Sequence, residues 1–130
     1  MLKEKAQYYY VTLGRSCSES ILMAANDVYD LNVTEDEILL FAGFRGGMGC
    51  GSVCGCLTGA IGALSRKYAG REDIKAICGN FVTAFHEKLA SGSIDCSVLE
   101  PKYKNDEVRC GITVGLGADA LSEYIASLDT

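Results

Sequence analysis

The chain has 130 residues, 48% of them hydrophobic and 22% charged, with a formal net charge of -5 and a pI near 4.8. That length bounds a single domain over residues 1–130 with a modest core, and the composition excludes a disordered chain. The acidic balance excludes nucleic acid, because phosphate binding needs a basic face that twelve scattered Lys and Arg do not build.

Residues Met1 to Gln7 lack the apolar core and small-residue cleavage site of a signal peptide, which predicts a cytoplasmic protein. No apolar run approaches the ~20 residues that cross a bilayer, so no membrane segment is expected. Seven cysteines are present. In a reducing cytoplasm such a load points to metal or cluster ligation or to catalytic thiols rather than to structural disulfides.

In chain order, Tyr8 to Leu13 reads as a short strand or a helical turn ended by Gly14, its aromatics serving packing. Ser16-Cys17-Ser18-Glu19 is a capping box, with the hydroxyl at the cap and the carboxylate three residues on. It predicts a helix to about Asp30 with Ile21, Leu22, Ala25, Val28 and Tyr29 inward. Cys17 then sits in the first turn, where the positive end of the helix dipole favours thiolate. A second capping box, Thr34 to Glu37, predicts a helix with Ile38, Leu39, Phe41 and Ala42 inward and Gly43 as its stop.

The stretch Gly43 to Gly62 carries Cys50, Cys54 and Cys56 among glycines. Dense glycine lets backbone amides approach a bound object closely, so Gly47, Gly49 and Gly51 are candidates to cradle a cofactor, an anion or an inorganic cluster. The Gly-Lys-Ser/Thr of a P-loop is missing, and the spacing departs from the dinucleotide fingerprint. From Ser52 or Val53 to Ala69 a helix is predicted, with Leu57, Ala60, Ile61, Leu64 and Tyr68 on one stripe. Gly55, Gly59 and Gly62 form a second, flat face on it. Several mid-helix glycines, each costing about 1 kcal/mol against alanine, imply close approach of a partner helix, which could itself carry a cysteine or a cofactor.

Glu72-Asp73 open a helix that turns Ile74, Ile77, Phe81, Val82, Phe85 and Leu89 inward. Cys78 lies in that stripe and reads as packing, and His86 lies on the solvated side. Cys96 falls on a short connecting turn before Pro101 and a charged loop, a good place for a ligand. Val108 to Leu128 is predicted mostly helical, with Cys110 at its start and Val114, Leu116, Leu121, Tyr124, Ile125 and Leu128 apolar. Cys17, Cys50, Cys54, Cys56, Cys96 and Cys110 thus all fall at helix starts or turns, and an all-α bundle of about four to five helices, with the Gly/Cys-rich loop at one end, could gather several of them. Cys-x2-Cys pairs of structural zinc sites and a ferredoxin run are both absent.

Cys17-Ser18-Glu19-Ser20, then Gly46 to Gly49, then Val53-Cys54-Gly55 with Gly59-Ala60, then Cys96 with Leu99, then Cys110, resembles the C-GCAxxG-C-C redox-active proteins over about residues 16 to 125. The resemblance implies an all-helical fold related to the non-haem part of split-Soret cytochrome c, and an iron-sulfur site. It also implies that the family's four cysteines are Cys17, Cys54, Cys96 and Cys110. Cys56 stands where the family has alanine, and Cys50 is a further thiol, so the loop could supply two or three sulfurs. No Cys-x-x-Cys-His motif occurs, so covalent haem is not expected.

The leading expectation is a redox-active or electron-transfer protein that binds an iron-sulfur cluster, with Cys54 central and glycine amides, including that of Gly55, bonding its sulfurs. The alternatives are a metal-free thiol-disulfide oxidoreductase and a zinc- or copper(I)-binding module. A redox partner protein is expected, and the glycine faces also suit a homodimer.

Overall fold

The computed structural model describes residues 1–129 and is all-α, with seven α-helices and no strand among them. The first helix, α1 (Leu2–Gln7), runs on through a wider turn over Tyr8–Thr12. Of the two sequence readings of Tyr8 to Leu13, the helical turn is therefore the one adopted, and it extends back to Leu2. Leu2, Ala6 and Tyr10 are buried at four-residue spacing while Glu4 and Tyr8 between them are exposed, a pattern that a helix produces and a strand of period two does not.

The next helix, α2 (Cys17–Tyr29), starts on the predicted capping box. The Ser16 hydroxyl accepts from the Glu19 amide at 3.3 Å, and the Glu19 carboxylate accepts from the Ser16 amide at 3.4 Å. Thr34 and Glu37 repeat the motif at the start of α3 (Glu35–Leu39). This helix is shorter than the sequence suggests, and Leu39 and Ala42 face outward while Ile38 is buried. The chain leaves the helix because Phe41 is drawn onto Gly62: a Cβ there would lie 2.4 Å from the Phe41 ring, so the ring occupies the space a side chain would take.

The central helix, α4 (Gly55–Lys67), packs flat on α2. A Cβ at Gly59 would stand 2.3 Å from the Ser18 carbonyl oxygen, and one at Gly55 would stand 3.2 Å from Cys17 Cβ. The glycine face therefore does both things expected of it, since the helix that comes so close carries a cysteine. On the other side lie α5 (Ile74–Leu89) and α7 (Gly111–Leu128), with Phe81, Phe85, Leu89, Val114 and Leu121 fully buried against Ile21, Leu57 and Leu64. His86 is exposed, and Cys78 is half-buried at the edge of the core.

Between α5 and α7 the sequence reads as a turn and a charged loop, whereas the structure has an eight-residue helix, α6 (Cys96–Tyr103). Pro101 hid it, because proline lacks the N–H that an interior helical position donates. Here it sits close enough to the end that only the last residues follow it.

Two tyrosines tie the bundle's ends to carboxylates. Tyr9 donates to Asp27, and that bond raises its pKa to about 12. Burial, helped by a 2.8 Å bond to Asp129, raises Tyr68 to about 12 as well. Both folded-state values exceed the ~10 of an unfolded tyrosine, so their stabilisation is complete below pH ~10 and is lost as pH climbs through 12. Urea unfolding at stepped pH should show stability falling steadily above pH ~10, more steeply than in a Tyr9→Phe/Tyr68→Phe double variant. Identical profiles would remove both tyrosines as the cause.

Candidate functional site

Four helices begin at one cavity of about 480 Å³, and each brings a cysteine to its wall. Cys17 is the first residue of α2, Cys54 caps α4, Cys96 is the first residue of α6 and Cys110 caps α7. The first-turn amides of a helix have no partner within it, so each start presents N–H groups and the positive end of a dipole. Four such ends meeting at sulfur make the cavity a place for negative charge.

Backbone ties fix the arrangement. The Cys54 amide donates to the Ile94 carbonyl at 2.9 Å and the Cys96 amide to the Ser52 carbonyl at 2.6 Å, so α4 and α6 start back to back. The Cys110 amide donates to the Tyr10 hydroxyl at 3.2 Å, which links α7 to the N-terminal helix. The glycine loop completes the wall. At Gly47 φ is 64°, and a Cβ would come within 2.6 Å of the Ser52 backbone and 2.8 Å of Cys96 Cβ, so both conformation and space require glycine.

The sulfurs form a connected set. The neighbouring Cys110 thiol, then Cys56 and Tyr10, hold the Cys17 pKa well below the usual thiol range against the opposing effect of burial. Cys110 and Cys56 are correspondingly held protonated, each by its bond to Cys17 first and then by other contacts and burial. Burial, with the charges of Cys54 and Glu100 nearby, raises Cys96 to about 11, and its thiol lies 3.7 Å from the Glu100 carboxylate. Around the rim stand Arg15, Arg45, Lys104 and Arg109.

Of the residues singled out in the sequence, Cys17, Cys54, Cys96, Cys110, Gly47 and Gly55 line this cavity. Cys56 is fully buried behind it, between Cys17 and Cys54. Cys50 is exposed on the glycine loop, its thiol 3.5 Å from the Gly47 carbonyl. Gly49 and Gly51 shape that loop with φ of 73° and 72° but do not reach the cavity wall. Among the described residues no three His, Cys, Asp or Glu side chains are arranged to hold a metal ion.

Sequence reasoning missed Tyr10, Glu100, Arg109 and Thr113 as wall residues. Two of them carried a signal. Glu100 is one helical turn from Cys96, and Thr113 is three residues beyond Cys110, spacings that put side chains on a common face. Tyr10 and Arg109 reach the site through tertiary packing, the guanidinium lying 4.8 Å from the Tyr10 ring centre.

No helix among the described residues is long and apolar enough to cross a membrane. Neither the curated proteins nor the solved structures yield a match. A family profile described as "Putative redox-active protein (C_GCAxxG_C_C)" matches residues 15–124, the span that contains all four wall cysteines, and the chain belongs to that family.

Proposed function

We propose that this redox protein carries an iron-sulfur cluster in the cavity, held by Cys17, Cys54, Cys96 and Cys110, and passes electrons to a partner protein. The observation behind the reading is the meeting of four helix starts, each bearing a cysteine, at one space. The donor set fits the group. It is all sulfur, which suits iron-sulfur clusters. A single tetrahedral ion would need sulfurs about 3.8 Å apart, set by Zn–S bonds of ~2.3 Å. Cysteines spread around a cavity of about 480 Å³ suit a larger object.

When bound, the cluster would supply one-electron chemistry. The chain's own contribution is electrostatic. Cys17 is held toward thiolate before any ligand arrives, and the open helix starts offer amides to negative sulfur. Gly47 and Gly55 keep the wall close, where any larger residue would push α6 or α2 away. Cys56 stays behind the wall, fully buried, its thiol held protonated by its neighbours Cys17 and Cys54 and by burial.

Anaerobic reconstitution with iron and sulfide should give a coloured protein with stoichiometric iron and a reversible one-electron couple. A colourless, iron-free product sinks the reading. The contact between the Cys17 thiolate and the Cys110 thiol favours thiol-disulfide exchange as a second reading. There, Cys17 and Cys110 would close a disulfide and give two electrons to a partner's disulfide, which leaves as two thiols. Thiol titration before and after mild reduction of iron-free protein tests it, and metal analysis of the isolated protein separates both from a zinc or copper(I) module.

A further inference from the structure

A second cavity, of about 630 Å³, opens between α3, α4 and α5. Its wall carries Leu40, Phe41, Phe44, Ile61, Val82 and Ile94, all of them exposed or half-buried. Apolar side chains left together at the surface mark a place where something binds. The polar groups on this wall are already committed. Thr58 Oγ1 donates to the Gly55 carbonyl at 3.1 Å, Ser65 Oγ donates to the Ile61 carbonyl at 2.7 Å, and Arg66 pairs with Glu37 while donating to the Asn32 carbonyl at 2.9 Å. An ionic guest would have to break the Glu37–Arg66 pair, so the groove suits a neutral, apolar one. The Phe41 and Phe44 rings, 5.5 Å apart and tilted by 40°, offer their faces to a flat ring.

Size and position narrow the guest further. The volume falls in the range of small-molecule sites. A stable protein partner would need about 800 Å² on each side, whereas the strongly exposed large apolar residues beside this groove are Leu40 and its neighbour Leu39. The groove also adjoins the cysteine cavity. Val53 lines the groove and Cys54 the cavity, and Phe44 and Arg45 divide in the same way. Val53 bridges to Asp95, which stands between Ile94 of the groove and Cys96 of the cavity. The Cys54 amide itself donates to the Ile94 carbonyl at 2.9 Å. A flat ring in the groove is therefore separated from Cys54 by the residues of that bridge.

We infer that this groove binds a quinone-type ring, a neutral and flat electron carrier, beside Cys54. Its electron step rests on the cluster proposed above, and its binding does not. In that step the hydroquinone gives two electrons, one at a time, to the oxidised cluster and two protons to water at the open side of the groove, and it leaves as the quinone. The partner protein takes each electron from the cluster in turn.

Tetramethylhydroquinone is the probe for binding, because it is uncharged at neutral pH and neither adds to thiols nor oxidises them. Anaerobic calorimetry should show saturable 1:1 binding to the metal-free and the iron-loaded protein alike. Ser65→Trp fills the groove from an exposed position on α4 and should weaken binding at least tenfold, while Lys75→Gln on the exposed face of α5 should leave it unchanged. Should Ser65→Trp fail to fold, the wild-type protein still decides: nuclear Overhauser effects from the ring methyls should reach Phe41, Ile61 and Val82. Effects that reach Leu99 and Thr113 of the cysteine cavity instead overturn the inference. No saturable binding overturns it too, as does wild-type affinity in a folded Ser65→Trp variant. A solution dimer that Leu40→Glu dissociates, with no hydroquinone bound, would overturn it by giving the face to a second copy of the chain. Read in reverse, the electron step should let one equivalent of tetramethylbenzoquinone reoxidise two equivalents of reduced, iron-loaded protein. The rate should saturate with quinone and fall at least tenfold in Ser65→Trp; an equal rate in both proteins removes the groove from electron transfer. A protein that takes up no iron yet binds the hydroquinone in the groove would sink the cluster reading alone.

Discussion

Gly59→Ala is expected to lower the stability of the protein by about 3 kcal/mol, the upper part of the range for overpacking a filled core. The added methyl would stand 2.3 Å from the Ser18 carbonyl oxygen and 2.8 Å from Ser18 Cα, and both are backbone atoms that no rotamer change can move aside. Relief requires α2 and α4 to separate. That movement would also carry Cys17 away from Cys54, because Gly55 holds the same two helices one turn earlier, with its Cβ position 3.2 Å from Cys17 Cβ. Stability and the site should therefore fail together, with lower thermal and urea midpoints and weaker iron retention. Gly79→Ala is the matched contrast. It lies inside α5 with nothing within 4 Å of its Cβ position, so it should stabilise by about 1 kcal/mol through helix propensity alone. If both substitutions shift stability the same way, close packing is not the reason for the glycine face.

That contrast marks what could be read without coordinates. The two capping boxes, at Ser16 and Thr34, are local hydrogen-bond patterns, and both form as their spacing predicts. The flat face of Gly55, Gly59 and Gly62 announced a close neighbour, although not which helix it would be. Elsewhere local signals misled. Phe41 and Ala42 continued the period of α3, but the vacancy at Gly62 drew Phe41 out of the helix. Pro101 suggested that no helix followed Cys96, yet α6 forms because Ser52 and Ile94 pin its start to that of α4. The meeting of Cys17, Cys54, Cys96 and Cys110 depends on these tertiary ties, so their order in the chain pointed to the set while its geometry stayed out of reach. Tyr10 and Arg109 lay further still from view, because they reach the cavity only through tertiary packing.

Cys54 and Cys56 are separated by one glycine on the first turn of α4, and the proposed cluster assigns them opposite fates. Cys54→Ser is expected to reduce bound iron to background after reconstitution, whereas Cys56→Ala is expected to keep the wild-type iron content and visible spectrum. The difference follows from direction. Residues two apart on a helix point about 200° from each other at 3.6 residues per turn. Cys54 therefore meets the cavity while Cys56 turns into the core, where a Cβ at Gly117 of α7 would lie 3.1 Å from its own. Loss of the Cys56 sulfur leaves a small void, costing on the order of 1 kcal/mol. It also removes a thiol that donates to Cys17 and contacts Cys54. Fewer hydrogen bonds to ligand sulfur favour the less negative, oxidised cluster, so Cys56→Ala should move the midpoint potential downward with iron content unchanged. Iron-to-protein ratios and a redox titration on the two variants distinguish the roles. Equal iron loss in both would make Cys56 a ligand and the alanine expected at its position a real change in the binding set.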